Sequence, residues 1–169
     1  MKKEIINKVA NSTLEVFDLE DYFPKNPILS IDVSQWLFEG FILKEKEFRE
    51  TLKNQDWSQY KDSYVSIFCT TDAILPAWTF ALVVAHLQPY AIKTVSGDKK
   101  DVLLNVYQEK LQEIDFSFYD KKPVILKGCS NKPVPQEVYV LAIQKLMPFA
   151  KSIMFGEACS AVPLFKASK

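Results

Sequence analysis

Glycine and histidine are scarce in this chain of 169 residues, which has 4 glycines and 1 histidine. Gly40, Gly97, Gly128 and Gly156 stand far apart. A Walker A loop or a G-x-G-x-x-G fingerprint needs glycines close together, because the backbone must approach a phosphate closely. Both are excluded, and no nucleotide cofactor of those types is expected. Any Ser–His–Asp machine would depend on His86, which lies among Val83, Val84, Ala85 and Leu87, with no G-x-S-x-G motif in the chain. A structural or surface role suits it better. An excess of one charge is also lacking, since 21 Lys plus Arg balance 21 Asp plus Glu. Without a basic run there is no electrostatic footprint for nucleic acid. The apolar stretch 73–87 is too short and too interrupted to span a bilayer. Met1-Lys2-Lys3-Glu4 leads into no apolar segment of the kind a secretion signal needs. The expectation is a cytoplasmic protein with neither nucleic-acid nor membrane partners.

Cysteine is sparse as well. Cys69, Cys129 and Cys159 are odd in number and widely spaced, unlike the framework of a disulfide-rich secreted domain. Reduced thiols are then free to pack, to react or to bind metal.

What the chain does contain is apolar patterning, with 48% hydrophobic residues, and enough length for one domain over 1–169. Strands are expected over 28–32, 64–68, 91–96, 124–127 and 152–155, with a short last one over 162–165. Helices are expected over 44–54, 76–88, 101–114 and 135–147; Val102, Leu103, Val106 and Leu111 give the third its 3.6-residue period. Such alternation predicts an α/β fold with a mainly parallel sheet flanked by helices. Residues 1–27 read as an N-terminal arm wrapping over the domain. In it Ile5, Ile6, Val9 and Leu14 suit a short amphipathic helix, and Pro24 and Pro27 end an alternating stretch over 17–23.

The same βαβ unit is legible twice, over 64–98 and 123–157. Cys69 and Cys129 each follow a strand and precede a hydroxyl residue, Thr70 or Ser130. A helix then opens at Pro76 or Pro135. A second proline follows at equal distance, Pro89 or Pro148, with Tyr90-Ala91 or Phe149-Ala150 behind it. Each unit ends on a glycine and an acid, Gly97-Asp98 or Gly156-Glu157. The pattern places Cys69 and Cys129 just past strand carboxyl ends, where open α/β sheets bind ligands. Cys159 falls just beyond the last strand of the second unit, so the three thiols are expected along one sheet edge.

Three thiolates suit a soft metal such as zinc, or an iron–sulfur cluster with one other ligand. Asp72 is the candidate for the fourth position, although an acid there also suits a loop or a helix cap. No C-x-x-C appears, so neither a zinc-ribbon nor a ferredoxin pattern is present. For thiol chemistry, Cys129 is the candidate nucleophile and Lys132 the cation that would favour its thiolate. A phosphatase-like loop is excluded, because Leu75 and Pro135 stand where its arginine belongs. Trp36, Trp57 and Trp78 read as core or interface aromatics, not as a base-stacking platform.

The segments Asp18-Leu19-Glu20-Asp21-Tyr22 and Asp56-Trp57-Ser58-Gln59-Tyr60 resemble an uncharacterised bacterial family, domain of unknown function 2480. So do Gly128-Cys129-Ser130-Asn131-Lys132-Pro133-Val134-Pro135 and Lys151-Ser152-Ile153-Met154-Phe155-Gly156-Glu157-Ala158-Cys159-Ser160. The resemblance spans nearly the whole chain and carries over no catalytic residues. What it implies is an association with iron–sulfur assembly proteins as partners.

Three functions follow as expectations. The first is a metal- or cluster-binding protein, an accessory in iron–sulfur metabolism, with Cys69, Cys129 and Cys159 as ligands. The second is a thiol enzyme for sulfur transfer or redox built on Cys129. The third is a scaffold or homo-oligomer in which the cysteines are buried and inert.

Overall fold

A computed structural model describes residues 14–128, 130–157 and 160–168. In chain order the elements are β1 (Glu15–Asp18), β2 (Ile28–Asp32), α1 (Glu45–Asn54), β3 (Tyr64–Phe68), α2 (Trp78–Leu87), β4 (Lys93–Ser96) and α3 (Lys99–Glu113). They continue with β5 (Pro123–Lys127), α4 (Gln136–Leu146), β6 (Ser152–Phe155) and β7 (Val162–Lys166). Each predicted strand and helix has its counterpart, with ends shifted by a residue or two. The predicted amphipathic helix over Ile5, Ile6 and Val9 lies outside the described residues; Leu14 precedes β1 without regular structure.

The mainly parallel arrangement is as expected, and it is distributed over two sheets. Two compact units carry them. An inserted unit spans Pro24–Val106, and a flanking unit comprises Met1–Phe23 with Tyr107–Lys169, as far as these are described.

In the inserted unit the strand order is β2-β3-β4, parallel throughout, with Ser30 opposite Ser66 and Ser66 opposite Val95. Parallel neighbours need a crossover, and α2 supplies it between β3 and β4. Successive residues of a strand face opposite sides, so Val65 and Ile67 share one face; both are buried in a core that also takes Phe48 and Leu52 of α1 and Val83 and Leu87 of α2. The spacings 48/52 and 83/87 are one helical turn each, which is why each pair buries together. Glu45 and Glu47 lie in the first turn of α1 and Lys53 in the last, signs that suit the helix dipole. Trp57 donates its ring N–H to Leu52 O at 2.8 Å and stacks on His86, with centroids 5.4 Å apart. That contact gives the single histidine the structural role its surroundings predicted.

In the flanking unit the order is β1-β5-β6-β7, parallel except for β7. The arm over 1–27 is therefore part of the fold from Glu15 onward, because Glu15–Asp18 pair with residues 124–127 of β5. A short edge strand far away in sequence has no local signal beyond alternation, and the acidic residues of this stretch hid it. Its core gathers Phe17, Tyr107, Leu111, Val124, Leu126 and Leu146. Tyr107 donates its hydroxyl to Leu19 O at 2.8 Å, and burial raises its phenol well above the ordinary value.

The two crossovers, β3–α2–β4 and β5–α4–β6, share hydrogen bonds at one constant offset along the chain. Gly97 N donates to Ile67 O, and Gly156 N to Leu126 O. Asp62 N donates to Tyr90 O, and Lys121 N to Phe149 O. Asp62 and Lys121 both take positive φ, 55° and 57°.

Candidate functional site

Parallel strands send their loops out from a common carboxyl edge, and in each unit a carboxylate holds the loop that leaves the central strand. In the inserted unit that carboxylate is Asp32, the last residue of β2. One oxygen accepts from the N–H groups of Ser34 (2.9 Å) and Thr70 (3.1 Å), and the other accepts the Thr70 hydroxyl at 2.6 Å. Burial pushes this carboxyl up, but the hydrogen bonds from Thr70 and Ser34 together outweigh it and leave the group below its usual range. Thr70 follows Cys69 directly, so the loop is fixed at the cysteine.

Cys69 is half-buried and packs against the core of its unit. Its sulfur lies 3.3 Å from the Thr71 hydroxyl oxygen, and that hydroxyl donates its one proton to Gly40 O at 2.6 Å. The Thr71 oxygen is therefore placed to accept from the Cys69 thiol. Asp72 is exposed, and α2 has Ala77 at its cap position, so Asp72 does not cap that helix.

In the flanking unit the clamp is Glu20, in the 3-10 turn Leu19–Tyr22 that follows β1. Asp18 orders the turn by accepting from Glu20 N at 2.9 Å. The Glu20 side chain crosses to the loop after β5, and the residue is left only 9% exposed. One oxygen accepts the backbone N–H groups of Ser130 (2.6 Å) and Asn131 (2.7 Å), and the other faces the Asn131 amide nitrogen at 3.4 Å. The Asn131 N–H, opposed by burial and joined by Ser130, holds the carboxyl below its ordinary value. Lys132 donates its ammonium to Glu20 O at 2.9 Å. The proposed modulator of the Cys129 thiol thus binds a backbone carbonyl.

Gly128, just ahead of Cys129, has φ +149°, and a β-carbon there would stand 2.8 Å from Leu19 Cβ. Lys127 ends β5 and pairs with Glu157 at 2.7 Å, and this hydrogen bond raises the lysine's pKa. The pair links the ends of the segments around the second and third cysteines. Cys129 and Cys159 themselves lie outside the described residues. Beside these ends Leu126, Val134, Tyr139, Ile143, Phe155 and Leu164 line an apolar cavity of about 480 Å³.

Among the described residues no three His, Cys, Asp or Glu side chains form a group able to hold a metal ion. No helix among them is long and apolar enough to cross a membrane. Glu20, like Asp32, is a site residue that sequence reasoning missed. Its only signal was membership in the segment Asp18–Tyr22 of the family resemblance, since nothing local tells an acid that reaches across a sheet edge from a solvated one.

The family is defined by a match over residues 3–167 to the model described as "Protein of unknown function (DUF2480)", and the chain belongs to that family. No curated protein and no solved structure matches it.

Proposed function

We propose that this protein is a cytoplasmic binder of a soft metal ion or an iron–sulfur cluster, acting as an accessory in iron–sulfur metabolism, with Cys129 and Cys159 as its thiolate ligands. The observation that carries this reading is the Glu20 clamp. A buried carboxylate accepting two successive backbone N–H groups fixes the loop directly after Cys129. Metal sites need ligands held by such second contacts, because a loop ordered in advance loses little entropy on binding. The segments bearing Cys129 and Cys159 leave β5 and β6, which are neighbours in register, with Leu126 opposite Phe155. Two thiolates leave coordination positions for non-cysteine donors or cluster sulfide. In this reading Cys69, packed on the core of the inserted unit with its sulfur 3.3 Å from the Thr71 hydroxyl, is the structural thiol of the three. Asp72 drops out with it. The clamped loop recurs after Cys69 through Asp32, which supports the internal repeat over 64–98 and 123–157.

The test is anaerobic purification without a metal-binding tag, followed by assay of zinc, iron and acid-labile sulfide per chain. Near-stoichiometric metal that is lost in Cys129→Ser and in Cys159→Ser, but kept in Cys69→Ser, is the expected result. Protein that holds no metal and takes none up on addition overturns the reading. Fast alkylation of Cys129 alone at neutral pH in such protein would favour the thiol enzyme. Uniformly slow alkylation would favour the scaffold.

A further inference from the structure

A strand that runs parallel to its neighbour brings a crossover helix, which covers the face beside it. β7 instead returns antiparallel to β6 through a short loop, so no crossover helix comes with it. The space beside α4 is left as the apolar cavity of about 480 Å³. α4 buries Val138, Ala142 and Leu146 and lines the cavity with Tyr139, Val140 and Ile143. The sheet contributes Leu126, Phe155 and Leu164. Val140 is 56% exposed and Leu164 45%, and Val162, opposite Phe155, is 56% exposed. A concave apolar groove with an apolar rim suits the apolar side of a short amphipathic segment.

The chain carries a segment of that kind directly ahead of β1, over 1–13, before the described residues begin. In helical register Ile5 and Val9 are one turn apart with Ile6 beside them, while Glu4, Asn7, Lys8 and Asn11 fall on the other side. A helix this short is marginal by itself and is stabilised by a surface that takes its apolar side.

The tether decides the occupant. Residue 14 leads straight into β1, and β1 shares its sheet with the groove, with Phe17 opposite Leu126. β7 stands three strand spacings from β1, about 14 Å, and Leu126 is level with the second residue beyond Glu15, about 7 Å up the strand. Residues 10–14 extended cover about 16 Å, and a helix over 1–9 is about 13 Å long. The segment therefore reaches the groove with length to spare. A short tether also holds it there at an effective concentration on the order of millimolar, above that of an untethered competitor at ordinary abundance. We propose that residues 1–13 dock along the groove between α4 and β7 of their own chain, with Ile5, Ile6 and Val9 against Val140, Ile143 and Leu164. The inference does not rest on the metal reading, and its test involves no metal.

The test places a photo-crosslinking benzoylphenylalanine at Val140 of the whole chain, mixed with an equal amount of nitrogen-15-labelled chain. At about 1 µM, where weak association between chains is sparse, peptide mapping should find crosslinks to residues 1–13 of the same chain. Ile5→Asp with Ile6→Asp should abolish them. The same double substitution should raise the fluorescence of added anilinonaphthalene sulfonate several-fold, because the groove is then open to the dye. A synthetic peptide of residues 1–13 should reverse that rise. Crosslinks that avoid residues 1–13 overturn the proposal. So do crosslinks that join labelled to unlabelled chains, which would mean exchange of the segment between copies. Wild-type protein that binds the dye as strongly as the double variant overturns it too, since its groove would stand open to small apolar ligands.

Discussion

Replacing Gly128 with alanine tests whether the cysteine loop is held as tightly as its contacts indicate. Gly128 has φ +149°, a region that residues with a β-carbon rarely adopt, and holding alanine there costs about 1–3 kcal/mol. The added methyl would also stand 2.8 Å from Leu19 Cβ and 3.1 Å from the Tyr139 hydroxyl. Leu19 is fully buried, so it cannot swing away, and forcing extra volume into a packed core costs about 1–3 kcal/mol more. The sum, about 2–6 kcal/mol, is a large part of a typical domain's stability of about 5–15 kcal/mol. At a urea slope of about 2 kcal/mol per molar, the midpoint should fall by about 1–3 M. Gly40→Ala supplies the comparison. Its φ is +76°, but the nearest atom, Thr71 Cγ2, is 3.8 Å away, so strain alone applies, about 1–2 kcal/mol. Far-ultraviolet circular dichroism is the right probe, because Trp36, Trp57 and Trp78 all belong to the inserted unit and their fluorescence reports only there. If Gly128→Ala costs no more than Gly40→Ala, the close approach of Leu19 is not a constraint and the argument for a fixed loop fails.

Two further perturbations probe the same unit. Tyr107→Phe removes the donor to Leu19 O and should cost about 1–2 kcal/mol in denaturant unfolding, as for other buried hydrogen bonds; a loss within error would mean that the hydroxyl holds nothing. For Glu20, the folded-state pKa lies below its ordinary 4.5, so between the two values the unfolded chain binds more protons than the folded one. Its stabilisation is complete above about pH 4.5 and is lost as pH falls through the folded value. Glu20→Gln should therefore lower stability at neutral pH and flatten the acid limb of a stability profile; an acid limb of unchanged slope would show that another group carries it.

The local patterns of the chain were enough to determine its strands and helices from β2 onward, but not β1. Alternation at Tyr64–Phe68 and helical spacing at Phe48 and Leu52 depend on neighbours a few residues apart, and such periods survive in the sequence. The repeated spacing from Pro76 to Gly97 and from Pro135 to Gly156 was legible for the same reason, as was the carboxyl-edge position of the loops that leave β3 and β5. Tertiary structure alone decided which strands pair. Glu15–Asp18 join β5 across more than half the chain, and the alternation separates into a sheet around β3 and another around β5. It also decided that Asp32 and Glu20, ordinary acids in sequence, clamp the loops after Cys69 and Cys129. Strand pairing and clamping rest on burial and hydrogen bonds between residues remote in sequence, whose free energy exists only once the chain has closed over them, so no local pattern records them.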